Sequence, residues 1–174
     1  MAHMFNQCSS LISLDISNFI TSSVSKMDYL FKDCISLKSI DLSNFITSNM
    51  TSMQGMFHIC SSLSSLDLSS YNTSLVKSMN TLFINCMSLE FLNLTNIIIS
   101  PNTNINIFKN CTSLKSVDIS NFYYKNLTAL FDNYQSLIFI KRTNNQNDEL
   151  IIETIIEFDI STGHIEYTEY TGYT

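Results

Sequence analysis

The sequence predicts an α/β solenoid, with parallel strands on one side, short helices opposite and a β-hairpin capping the C-terminal end. Three observations point there. The pattern Phe-x-x-Cys-x-Ser-Leu-x-x-Leu-Asp-Leu-Ser-Asn-Phe begins at Phe5, Phe31, Phe57, Phe83 and Phe108, and more loosely at Phe131. Each copy switches from an alternating to a helix-like apolar period, and the composition changes abruptly after Arg142. A unit this short cannot bury its own apolar face, so successive copies have to stack.

The alternating part is typified by Leu11-x-x-Leu14-Asp15-Ile16, which turns its apolar residues one way and Ser13, Asp15 and Ser17 the other. Strands are therefore expected near residues 11–17, 37–43, 63–69, 89–95, 114–120 and 137–141. After each strand Phe19, Phe45, Tyr71 and Phe122 recur as an aromatic spine, broken at Ile97.

The second part of the unit carries Met27, Leu30, Phe31 and Cys34 at offsets that share one helix face, and Met53, Met56, Phe57 and Cys60 repeat them. Helices are expected near 25–34, 51–60, 77–86, 104–111 and 126–134. Thr51 with Gln54 fits a capping box, and Ser25 with Asp28 is a weaker one. Helices of two to three turns are marginal alone, so stacking must hold them.

The repeats decay toward the C-terminus, where Pro101 bars a helix from continuing and Asn104 takes the place of the helix-starting methionine. A few residues are missing from the turn around Tyr123 and Tyr124. About six coils are thus expected over residues 5–142. Beyond a polar loop from Thr143, Ile156, Phe158 and Ile160 alternate with Glu157 and Asp159, and Gly163 marks a turn before Ile165-Glu-Tyr-Thr-Glu-Tyr. Residues 143–174 read as an acidic β-hairpin covering the last coil, or as the start of a following module.

Only 14% of the 174 residues are charged, with a net charge of -6. Residues 1–142 hold nine Lys/Arg and eight Asp/Glu, whereas 143–174 hold seven Asp/Glu and no Lys/Arg. The basic stripe that a nucleic-acid backbone requires is missing, so nucleic acid is not an expected partner. No apolar run reaches the roughly 20 residues of a membrane-spanning helix. Met1-Ala-His-Met4 reads as an expression-vector remnant ahead of a fragment of a longer protein.

Cys8, Cys34, Cys60, Cys86 and Cys111 recur at 25 or 26 residues, the place that Tyr134 takes in the last coil. This spacing fits a column of buried, free thiols rather than disulfides or a metal site, which would favour paired spacings such as C-x-x-C. His58 and His164 stand apart, and His3 lies in the presumed remnant. The serines lack a Gly-x-Ser-x-Gly elbow, and three glycines form no phosphate-binding loop. Neither catalytic residues nor cofactors are expected, and the chain reads as a non-enzyme. Sequons at Asn49, Asn72, Asn93, Asn110 and Asn126 fit chance in an Asn- and Ser-rich chain.

Written out from Met53 to Ser74, the repeat resembles the 26-residue unit of BspA-like leucine-rich-repeat surface proteins over residues 4–140. The resemblance implies a leucine-rich-repeat solenoid displayed at a cell surface or outside the cell, often linked to adhesion. It brings no catalytic residues. Asn93 in place of the repeat's aspartate departs from the pattern without threatening the fold.

Candidate binding residues are the outward column Asp15, Asp41, Asp67, Asn93 and Asp118, with Phe91 and Phe139 in serine places and Tyr123 and Tyr124 in the shortened turn. Strands about 4.8 Å apart put neighbouring carboxylates in conflict unless they are hydrated, hydrogen-bonded or bridged. Ca²⁺, sugar hydroxyls or a basic partner would answer that need. The simpler answer is that neighbouring serines and ordered water satisfy the aspartates, since Ca²⁺ takes about six to eight oxygens. Phe139 has an equally good place beneath the hairpin, and the tyrosines against the spine. The expected function is a recognition or adhesion module binding a protein or glycan; the alternative is a spacer or self-assembly element that associates through an edge strand, the hairpin or the turns.

Overall fold

The computed structural model describes residues 1–98 and 107–119 in full, and the backbone of 139–144, 152–159 and 164–171. Three short strands, β1 (Ser65–Asp67), β2 (Phe91–Asn93) and β3 (Ser116–Asp118), pair in parallel in sequence order. Their register sets Ser65, Phe91 and Ser116 in one row and Asp67, Asn93 and Asp118 in another. β4 (Phe139–Asn144) continues the parallel order, and the expected hairpin follows as β5 (Ile152–Asp159) and β6 (His164–Thr171), both antiparallel to their neighbours. The sheet therefore runs β1 to β6 without a crossover. The segments 11–17 and 37–43 line up with the later strands but are not strands themselves; Lys38 N–H still donates to Ile12 O at 3.1 Å and Ser64 N–H to Lys38 O at 3.2 Å.

The helices expected at 25–34, 51–60 and 77–86 are not formed, and the described part of 104–111 is also turn. The segment 126–134 lies outside the described residues, as do Pro101, Asn104, Phe122, Asn126 and Tyr134. The residues expected inside are nonetheless inside: Met27, Leu30, Phe31 and Cys34 are fully buried, as are Met53, Met56, Phe57 and Cys60. What differs is the backbone. The N–H groups of Leu30, Lys32 and Cys34 close local turns onto the carbonyls of Met27, Tyr29 and Phe31. Those of Met27, Tyr29, Phe31 and Asp33 leave the unit altogether and donate to Ser52, Gln54, Met56 and His58 of the next repeat, at 2.8–3.0 Å. A helix would keep its amides within the unit, each beyond the first turn donating to the carbonyl four residues back.

Alternation of this kind needs residues in the left-handed region. Tyr29 (φ 55°), Gly55 (57°) and Thr81 (58°) form one such column, and Asp33 (60°), Ile59 (63°), Asn85 (63°) and Asn110 (63°) another. Each lies at the third position of a local turn, the place where a type II turn requires positive φ. Glycine at 55 also makes room for a close neighbour, because a Cβ there would come within 2.5 Å of the Tyr29 ring. The residues expected to cap helices bond between repeats instead: Thr51 Oγ1 donates to Ser25 O at 3.0 Å, and the Asp28 carboxylate accepts from Ser52 Oγ and from Gln54 N–H.

Side chains repeat the ladder. Phe5, Phe31, Phe57, Phe83 and Phe108 stack with ring centroids 5.4, 5.7, 5.8 and 5.9 Å apart and near-parallel planes, each contact adding roughly 0.5–1.5 kcal/mol beyond area burial. The cysteine column is buried from Cys34 to Cys111, and each of those thiols donates to a phenylalanine carbonyl of the preceding repeat at 3.0–3.1 Å. Burial pushes the Cys34 thiol up to about 11, with a smaller push from Cys8, and burial raises Cys60 too. Phe45, Tyr71 and Ile97 are buried in the aromatic column while Phe19 is half-buried, so Ile97 continues it in aliphatic form.

Two measurements follow. Cys8 alone is exposed, so an alkylating reagent at neutral pH is expected to label one thiol in the folded chain and five after denaturation; rapid labelling of all five without denaturant would contradict the buried column. Ile59 is β-branched at positive φ, where Asn85 and Asn110 stand in neighbouring repeats. Ile59→Asn is expected to stabilise the chain by about 1 kcal/mol, read as a higher urea midpoint, and a lower midpoint would argue against the turn geometry.

Candidate functional site

The strand face is built from residues that the turns leave outward. Asp15, Asp41 and Asp67 are exposed, and Asn93 and Asp118 half-buried. In each of the first three, Oδ1 accepts the backbone N–H two residues on, from Ser17 at 3.0 Å, Ser43 at 2.9 Å and Ser69 at 2.8 Å. Asn93 does the same for Thr95 N–H at 3.1 Å. The column is thus a stack of Asx turns that ends each strand and bends the chain toward the aromatic spine.

These bonds favour the ionised form. The Ser17 amide holds the Asp15 carboxyl below its ordinary range, and the Ser43 amide does so for Asp41. At Asp67 burial pushes upward, but hydrogen bonds from Ser69 and Asn93 outweigh it. Asn93 Nδ2 donates to Asp67 Oδ2 at 3.3 Å, so the one amide in the column eases the contact between repeats.

Phe91 stands out from this face, 54% exposed, with Ser65 and Ser116 beside it in register. Small neighbours on both sides leave the ring uncovered. Asp41, Asp67, Asn93, Asp118 and Phe91, with serines of the same rows, line a shallow depression of about 530 Å³. Register places Phe139 next to Ser116 and opposite Glu157 of the hairpin, and places Lys141 next to Asp118. Tyr123 and Tyr124 lie outside the described residues.

His58 lies in a turn rather than on a helix, and burial, followed by the nearby Lys32, lowers its pKa. Among the described residues no three His, Cys, Asp or Glu side chains gather as a metal site would require, and no helix is long and apolar enough to cross a membrane.

Two columns escaped the sequence reading. Thr21, Thr47 and Thr73 are buried, and their hydroxyls accept the backbone N–H of Ile46, Asn72 and Ile98 in the next repeat at 2.7–2.8 Å. Beside them Ile20, Ile46 and Ile98 are exposed at 88%, 54% and 45% and form a broken apolar rim. The signal was Phe-Ile-Thr at 19–21 and 45–47, with threonine again two residues after Tyr71.

The chain belongs to the DUF285 family. That family's model, described as Mycoplasma protein of unknown function, matches residues 1–122 and again 67–148. No curated protein and no solved structure matches the chain.

The lowered aspartate pKa values give stability present above the unfolded carboxylate range, near about 3.9, and lost as pH falls through the folded values. The urea midpoint is expected to fall below about pH 4. An Asp15→Asn, Asp41→Asn, Asp67→Asn variant, which keeps the accepting carbonyl, should show a shallower fall; an identical pH profile would remove the Asx bonds as the cause.

Proposed function

We propose that residues 5–142 form a BspA-like leucine-rich-repeat solenoid that serves as a non-catalytic recognition module of a surface protein, with residues 143–174 as its cap. It binds a protein or glycan through the strand face. The observation that carries this reading is Phe91, an exposed aromatic set between Ser65 and Ser116 in its row, at a depression lined by aspartates. An aromatic in that position lies outside the buried core and offers a partner an anchor. The backbone amides beneath it are tied between repeats, so the face is preorganised and loses little entropy on binding. Family membership supports the repeat architecture, and the likeness of the repeat to surface proteins supports the surface location.

A second reading, self-assembly, rests on β6. That strand is the outer member of the sheet order and pairs only with β5 among the described residues, leaving an eight-residue edge. Light-scattering mass across a concentration series, with and without Ca²⁺, separates the two. Recognition expects a monomer throughout and, in glycan and protein binding screens, a partner whose affinity drops when Phe91 is replaced by serine. A concentration-dependent oligomer insensitive to Phe91→Ser would instead favour assembly.

A further inference from the structure

We infer that the strand-face depression takes a basic, arginine-bearing segment of a partner protein, with a guanidinium lying between Phe91 and the carboxylates of Asp41 and Asp67. The inference rests on the recognition reading and names the chemistry of the partner. Charge complementarity carries it. Asp41 holds the middle place in its column between Asp15 and Asp67, in segments whose backbones hydrogen-bond from repeat to repeat through Ile12, Lys38 and Ser64. The cations nearby are already engaged or stand at the edges. Lys115 is bound to Glu90 at 2.8 Å, register puts Lys141 at the far end beside Asp118, and Lys38 lies before the serine row.

The hydrogen bonds of the face sharpen the choice. Asp15, Asp41 and Asp67 each use Oδ1 for their own turn, which holds the carboxylate in place; Asp67 Oδ2 also accepts from Asn93 Nδ2, so a guanidinium would share that oxygen and meet Asp41 through Oδ2. A planar guanidinium can donate to carboxylates while its face stacks on an aromatic ring, which an ammonium does less well. Ser65 and Ser116 leave the Phe91 ring open to such stacking. An acidic or neutral occupant would leave the charge of Asp41 and its neighbours uncompensated in a less hydrated site.

The repeat itself supplies variants that should preserve the fold. Asn93 makes the same turn bond as the aspartates, so Asp41→Asn with Asp67→Asn removes charge and keeps the acceptor. Serine occupies the Phe91 place in the neighbouring strands, so Phe91→Ser restores the repeat. The probe is a fluorescent peptide alternating arginine and serine, compared by anisotropy with the same peptide carrying citrulline. The arginine peptide should bind and the citrulline peptide should not. The double Asp variant should weaken binding about three- to tenfold and Phe91→Ser about two- to fivefold, while Glu166→Gln with Glu169→Gln in the acidic tail should change it less than about twofold.

Equal binding of the citrulline peptide, loss of binding only in the tail variant, or no peptide binding overturns the inference. In the last case a glycan or neutral protein partner that still depends on Phe91 would leave the recognition reading standing. Silence in all screens, with Phe91→Ser without effect, would remove both.

Discussion

The backbone hydrogen bonds between repeats are the constraint on which the described structure depends. On the turn side, every second amide from Met27 to Asp33 donates to a carbonyl 25 residues later, and the same arrangement recurs from Met53 to Ile59. Each buried amide must have a partner, and here the partner belongs to the adjacent repeat. A single repeat therefore cannot satisfy its own backbone, let alone its apolar side chains. Cooperative stacking is a consequence of that deficit.

Once neighbouring peptides are aligned in this way, equivalent side chains fall into columns. The phenylalanine rings stack because their Cα atoms are held one above another, the thiols find the carbonyls of the preceding repeat, and the buried threonine hydroxyls find the next repeat's amides. The same alignment has a cost on the outer face. Identical charged residues are brought together as firmly as identical apolar ones, so a repeated aspartate becomes a ladder of like charge. Asx turns and the Asn93 amide offset part of that repulsion.

Much of the interior was legible in the residues. Leu30, Phe31 and Cys34 recur in type and position, and burial follows from recurrence because a stacked column must repeat its packing. The Asp column and the odd place of Phe91 were visible for the same reason. Helix formation was misread because the offsets of Met27, Leu30, Phe31 and Cys34 suit a helix face and chained turns alike. Periodicity reports which side chains face inward and is silent about where the amides go. The positive φ of Tyr29, Thr81 and Ile59 had no local sign, since none of these residue types favours that region on its own.

The sequence by itself determined the repeat, its length, the columns of Phe, Cys, Leu and Asp, and the break in composition before the hairpin. These are properties of residue type and spacing, and stacking turns them directly into contacts. Tertiary structure alone decided that the turn side is not helical, that Thr21 and Thr47 bind the next repeat, and that the thiols from Cys34 to Cys111 bond to carbonyls of the preceding repeat. Each of those outcomes depends on groups some 25 residues apart in the chain. Their energies arise only when the neighbouring repeat is in place, which is why no local pattern could announce them.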